Sequence, residues 1–176
     1  FITGGGTGLG EAAAIALAGA GVKVAITGRR QSKLDKVVAE IEKAGGTALA
    51  IQSDVSKEAD AFAAVEQCVA AFGKIDILIN SAGVNEAGGI QSLDLDGWRK
   101  VIDINLYGTI YTTAAAVPHI KTAGGGDIIN ISSTAGRRAA GLFASYATSK
   151  HGVNGFPERI RQELGGDNIR VSIIEP

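Results

Sequence analysis

Tyr146 and Lys150 stand four residues apart in a stretch of helical periodicity, so both side chains project from one face as neighbours. A free tyrosine, with a pKa near ~10, is a poor acid–base catalyst at neutral pH. An ammonium group a few ångströms away favours the phenolate and draws such a phenol toward a useful range. A Tyr-x-x-x-Lys pair on its own is also a common surface arrangement. Its surroundings favour chemistry, because Ser132 and Ser133 end the apolar run before it and Asn105 interrupts a long helical pattern further upstream. Proton transfer is the chemistry these residue types suit.

A second cluster lies at the start of the chain, where residues 3–10 read T-G-G-G-T-G-L-G between an apolar strand remnant and an alanine-rich helical pattern. Residues without a Cβ let the backbone turn sharply and approach a pyrophosphate, and the helix N-terminus offers it unpaired N–H groups. Gly4, Gly6, Thr7, Gly8, Leu9 and Gly10 are therefore candidate dinucleotide contacts. The next strand ends in Thr27-Gly28-Arg29-Arg30. An acidic residue here would bind an adenosine ribose 2′-hydroxyl and repel a 2′-phosphate. Arginine instead holds a phosphate through paired charge-assisted hydrogen bonds, so Arg29 favours NADP over NAD. Arg30 is either a second cation for that phosphate or the solvated start of a helix. Asp54 and Val55, after the third strand, either meet the adenine edge or, for Asp54, cap a loop, with Ser56 available to cap the following helix.

These residues need a frame. Short β-branched and apolar runs at 1–3, 22–27, 47–52, 75–80, 127–132 and 169–174 alternate with helical patterns at 9–20, 32–44, 57–72, 95–122 and 145–164. Such alternation predicts βαβ units and an α/β, doubly wound, mostly parallel sheet in three layers, Rossmann-like. In sheets of this kind ligands bind outside the carboxyl ends of the strands. Both clusters fall at those ends or on the helices that follow. Pro157, inside the last helical pattern, is expected to remove a hydrogen bond and kink it.

Taken in order, these pieces resemble a short-chain dehydrogenase/reductase of the non-extended branch. The resemblance rests on T-G-x-x-x-G-x-G at residues 3–10, Asp54-Val55, Asn80-Ser81-Ala82-Gly83, Asn105, Ile131-Ser132-Ser133, Tyr146-Ala-Thr-Ser-Lys150 and Glu175-Pro176. It implies that Tyr146 is the general acid in carbonyl reduction and the base in alcohol oxidation. Lys150 would assist it and bind the nicotinamide ribose, and Ser133 would donate to the substrate oxygen. Asn105 would hold a water of a proton relay behind Lys150. Asn80, Ala82 and Gly83 would line the cofactor and brace the central strand, with Pro176 beside the nicotinamide. Gly28-Arg29 resembles the NADP-preferring members. Homo-oligomers, tetramers or dimers, are implied as well. Members continue past the equivalent of Pro176 into a loop over the nicotinamide and a substrate lid. The chain thus reads as one domain, 1–176, incomplete at both ends and truncated C-terminally.

Bulk properties bound the rest. The sequence has 176 residues, 45% of them hydrophobic, and a net charge of −1, which gives no support for a nucleic-acid or membrane-surface partner. Cys68 is the one cysteine and cannot make an internal disulfide, and no apolar run reaches membrane-spanning length. The cytoplasm is the expected compartment. His119 and His151 form no cluster, and no metal is expected. The leading expectation is an oxidoreductase moving a hydride between NADP(H) and a small carbonyl or secondary alcohol. The alternative is a nucleotide-binding regulatory protein of the same fold without turnover, against which the complete serine, tyrosine, lysine and asparagine set argues. Substrate identity is not legible, since residues 85–92 offer mainly small or polar groups.

Overall fold

A computed structural model describes residues 1–86, 91, 94–138 and 143–176. Six strands form one sheet: β1 (Ile2–Thr3), β2 (Val24–Gly28), β3 (Ala48–Gln52), β4 (Ile77–Asn80), β5 (Gly126–Ile131) and β6 (Ile169–Ile174). Their order is β3-β2-β1-β4-β5-β6, and every neighbouring pair is parallel. Strand order reverses between β1, which leads outward to β2 and β3, and β4, which leads to β5 and β6. The crevice at that reversal is where a doubly wound sheet binds its ligand.

Helices α1 (Gly8–Gly19), α2 (Gln31–Lys43), α3 (Glu58–Phe72), α4 (Leu95–Ile102), α5 (Gly108–Thr122) and α6 (Ala144–Leu164) cover the two faces. Strand side chains alternate between them. Ile2, Val24, Ile26 and Ile79 meet Ala14 and Ala18 of α1 and Leu34, Val37 and Ile41 of α2. On the other face Ala25, Leu78, Ile128 and Val171 meet Val65 and Cys68 of α3, Ala116 and Ile120 of α5 and Ile160 of α6. Cys68 is a buried hydrophobe of this core. Among the described residues no helix is long and apolar enough to cross a membrane.

One departure from the expected elements bears on the site. The expected single helix over 95–122 is divided by a π-type turn, Asp103–Tyr107. Asn105 lies within that turn and is 1% exposed. Its side chain bonds the backbone of Val84, 21 residues away, at both Val84 N and Val84 O. A tertiary clasp of this kind explains the local widening, as helical periodicity alone does not. α6 runs on through Pro157, which is buried.

Candidate active site

The glycine turn connects β1 to α1. Gly4 has φ +69° and lies so close to the loop after β4 that a Cβ there would sit 2.8 Å from Ala82 Cα. The contact is fixed from the other side by Thr3, whose Oγ1 accepts from Ser81 N and Ala82 N at 3.0 Å each. Gly8 also has a positive φ, +61°, yet a Cβ there would meet nothing within 4 Å. Its left-handed backbone opens the start of α1 to whatever occupies the crevice. Thr7 is the N-cap, with its side chain making no cap bond, and Thr7, Gly8 and Leu9 are all exposed, whereas Gly10 is buried under the turn. An uncovered α1 N-terminus of this kind suits an anionic group.

Beside the turn runs a cleft of about 190 Å³, lined by Gly4, Gly6 and Thr7, by Gly28, Arg29, Arg30 and Lys33, by Asp54 and Val55, and by Ala82 and Gly83. Candidate cofactor residues are thus drawn from four strand ends into one wall. Arg29, Arg30 and Lys33 form no ion pair with any described residue. Three cations and the exposed start of α1 along one cleft suit an anionic ligand. Lys33 was not singled out from sequence; it lies in the first turn of α2, directly after the Arg29-Arg30 pair.

Asp54 serves its own loop: Oδ1 accepts from Ser56 N at 3.1 Å and from Ser56 Oγ at 2.7 Å. Ser56 therefore spends its hydroxyl on Asp54, and Lys57 occupies the N-cap of α3 without a side-chain bond. Asn80 does not line the cleft. It is buried on the α5 face, where Nδ2 donates to Thr113 Oγ1 and Asn130 Oδ1 and Oδ1 accepts from Thr112 Oγ1 at 2.6 Å. It braces the central strands and leaves Ala82 and Gly83 to face the crevice.

On α6, the four-residue spacing places Lys150 Nζ 5.6 Å from the Tyr146 ring centroid. Lys150 is 5% exposed, and its Nζ donates to Ile131 O at the end of β5 at 2.7 Å. Burial lowers its pKa from the ordinary 10.5 to about 8. A Cβ on Gly83 would lie 3.8 Å from this Nζ and 3.5 Å from Asn105 Oδ1, so the wall of the crevice, the lysine and the asparagine meet at one point. Asn105 Nδ2 also donates to Ser149 Oγ at 3.0 Å, and Ser149 Oγ donates to Tyr146 O at 2.7 Å. Ser149 was missed in the sequence reading, because nothing in a single buried serine reveals its partner 44 residues away.

Ser133 follows β5 and caps the short 3₁₀ turn Thr134–Gly136, its Oγ accepting from Ala135 N at 3.2 Å. With that bond made, the hydroxyl hydrogen remains available to an incoming oxygen. The loop is sewn to α6 by Ser132 Oγ, which donates to Lys150 O at 3.3 Å, and by Asn154 Nδ2, which donates to Gly136 O at 3.2 Å. Pro176, beyond β6, accepts from Thr134 N at 3.2 Å. His151 is turned back onto α6, bonding Ala147 O, and His119 bridges to Glu66. Residues 139–142, in the loop before Tyr146, and most of 85–92 lie outside the described residues.

A family model for the short chain dehydrogenases matches residues 1–176. The chain belongs to the short-chain dehydrogenase/reductase family. A cyclohexanol dehydrogenase of an Acinetobacter species is 37% identical over 177 residues, an alignment covering all of this chain and 70% of that protein. The crystal structure of a metagenomic short-chain oxidoreductase in complex with NADP superposes with a TM-score of 0.95 at 35% identity, covering 99% of this chain and 80% of that one. A 3-ketoacyl-ACP reductase from Sinorhizobium meliloti 1021 superposes at 0.96 with 36% identity, covering 99% and 70%. This short-chain dehydrogenase/reductase is accordingly an oxidoreductase, on a Rossmann-like sheet of the NAD(P)-binding type.

Proposed function

We propose that the protein reduces a carbonyl group to an alcohol, and catalyses the reverse oxidation, with NADP(H) as partner. One observation carries the reading: a buried lysine held beside a tyrosine ring, at the point where the crevice wall and Asn105 converge. When bound, NADPH supplies the hydride. Arg29, with Arg30 and Lys33 beside it, would hold the 2′-phosphate, and Thr7, Gly8 and Leu9 would present N–H groups to the pyrophosphate.

Tyr146 would give its phenolic proton to the substrate oxygen as negative charge develops there, and recover one from the Lys150 side. Ser133 would donate its free hydroxyl hydrogen to the same oxygen. Lys150 has one hydrogen committed to Ile131 O, which leaves two for the ribose hydroxyls and for stabilising the tyrosinate that forms. Asn105 has both amide hydrogens committed, to Val84 O and Ser149 Oγ. Its part in a relay would therefore be that of an acceptor, through a side-chain or backbone oxygen, for a water beyond Lys150. The uncovered cation cluster favours NADP over NAD, since no carboxylate ends β2 to receive a 2′-hydroxyl.

NADPH oxidation followed with a panel of ketones and aldehydes tests the reading. Turnover with at least one carbonyl, stronger with NADPH than with NADH, is expected; a protein that binds NADPH and turns over none of them would overturn it.

A further inference from the structure

Glu175 stands at the carboxyl end of β6, with no part in the chemistry proposed above. Its carboxylate accepts from Arg137 Nε at 2.7 Å on Oε1 and 2.6 Å on Oε2, and from Asn154 Nδ2 at 2.7 Å on Oε1. Arg137 lies four residues after Ser133, on the loop that carries it, and Asn154 lies one helical turn beyond Lys150 on α6. The same Asn154 amide donates to Gly136 O at 3.2 Å. One carboxylate therefore grips both the serine loop and the helix bearing Tyr146 and Lys150. The side chain of Glu175 is 20% exposed whereas that of Arg137 is 68% exposed, so the carboxylate is the sheltered hub and the guanidinium lies over it. Arg137 holds the Glu175 carboxyl below the usual carboxylate range, so the hub stays ionised at neutral pH.

The geometry points to Glu175 as a positioning residue that fixes Ser133 relative to Tyr146, acting through Arg137 and Asn154. This inference rests on the proposed role of Ser133. A hydroxyl that donates to a developing oxyanion must sit within a few tenths of an ångström of its place, and misplacement by about 1 Å costs up to about a hundredfold in rate. Ser133 sits on a loop, and its own bond to Ala135 N fixes only the local turn. The carboxylate adds a charged tie between that turn and the helix to the two bonds made by Ser132 and Asn154.

A double-mutant cycle on the full chain separates this role from a merely structural one. Glu175→Ala is expected to lower kcat for carbonyl reduction about tenfold while leaving the NADPH dissociation constant, read by cofactor fluorescence, within about twofold. In a Ser133→Ala background the same change is expected to lower kcat less than about twofold. Arg137→Ala, at an exposed position that does not threaten folding, is expected to act in the same direction more weakly and to show the same coupling. An equal loss in both backgrounds would overturn the inference, as would a Glu175→Ala enzyme with unchanged kcat or one whose defect is weakened NADPH binding. If Ser133→Ala itself leaves kcat unchanged, the role of Ser133 falls first and this one falls with it.

Discussion

Replacing Lys150 by methionine keeps most of the unbranched side chain and removes its charge. The folded protein surrenders the lysine proton near pH 8, whereas the unfolded chain keeps it to the ordinary 10.5. Below pH 8 the native state therefore carries the full cost of a buried ammonium, about 3 kcal/mol at ~1.4 kcal/mol for each pH unit separating the two values. Between about pH 8 and 10.5 the unfolded chain binds more protons than the folded one, so this part of the stability rises with pH. The bond to Ile131 O offsets about 1.5–3 kcal/mol of the cost at pH 7, which leaves the two proteins of similar stability there. Lys150→Met lacks the titration. The stability of the parent minus that of the variant is expected to grow by about 2.5 kcal/mol from pH 7 to pH 10. Urea unfolding followed by Trp98 fluorescence at four pH values measures it, and groups shared by the two proteins cancel. A difference flat to within about 0.5 kcal/mol, or one that shrinks as pH rises, would refute the claim that the lysine is held desolvated.

Four further substitutions follow from the site. Arg29→Asp is expected to weaken NADPH binding about a hundredfold or more while NADH binding changes little, measured by fluorescence titration; equal loss of both cofactors would remove the 2′-phosphate assignment. Gly4→Ala meets the backbone of Ala82 as well as an unfavourable φ and should lose at least about 3 kcal/mol of stability, whereas Gly8→Ala has room and should lose about 1–2 kcal/mol, both read by chemical denaturation. Nucleotide binding should suffer in Gly8→Ala even though folding survives. Asn105→Ala strips both the N–H and the carbonyl of Val84 of their partner and is expected to cost about 3 kcal/mol; a loss under about 1 kcal/mol would mean that the clasp does not hold the turn.

Much of this was legible because it is local. The glycine turn, the cations after β2 and the Tyr146–Lys150 pair are each set by spacing within one loop or helix, and the parallel sheet follows from alternating strand and helix periods. What could not be read depends on partners distant in sequence. The division of residues 95–122 into α4, a π-type turn and α5 comes from Asn105 reaching Val84, and no periodicity encodes that. Ser56 resembles a helix cap from its position, but Asp54 takes its hydroxyl first. Asn80 sits in a motif beside crevice residues yet faces α5, because successive strand residues point to opposite faces and the buried threonines of α5 supply its partners. Glu175, Asn154 and Ser149 acquire meaning only when β6, α6 and the serine loop are brought together.

At the centre of the site, Tyr146 is proposed to transfer the proton while the rest of the crevice binds the cofactor. Carbonyl-dependent NADPH oxidation by Tyr146→Phe, measured beside its NADPH dissociation constant, tests this most directly. A fall in kcat of about a thousandfold is expected, with cofactor affinity nearly unchanged. Turnover that survives the loss of that hydroxyl would contradict the assignment.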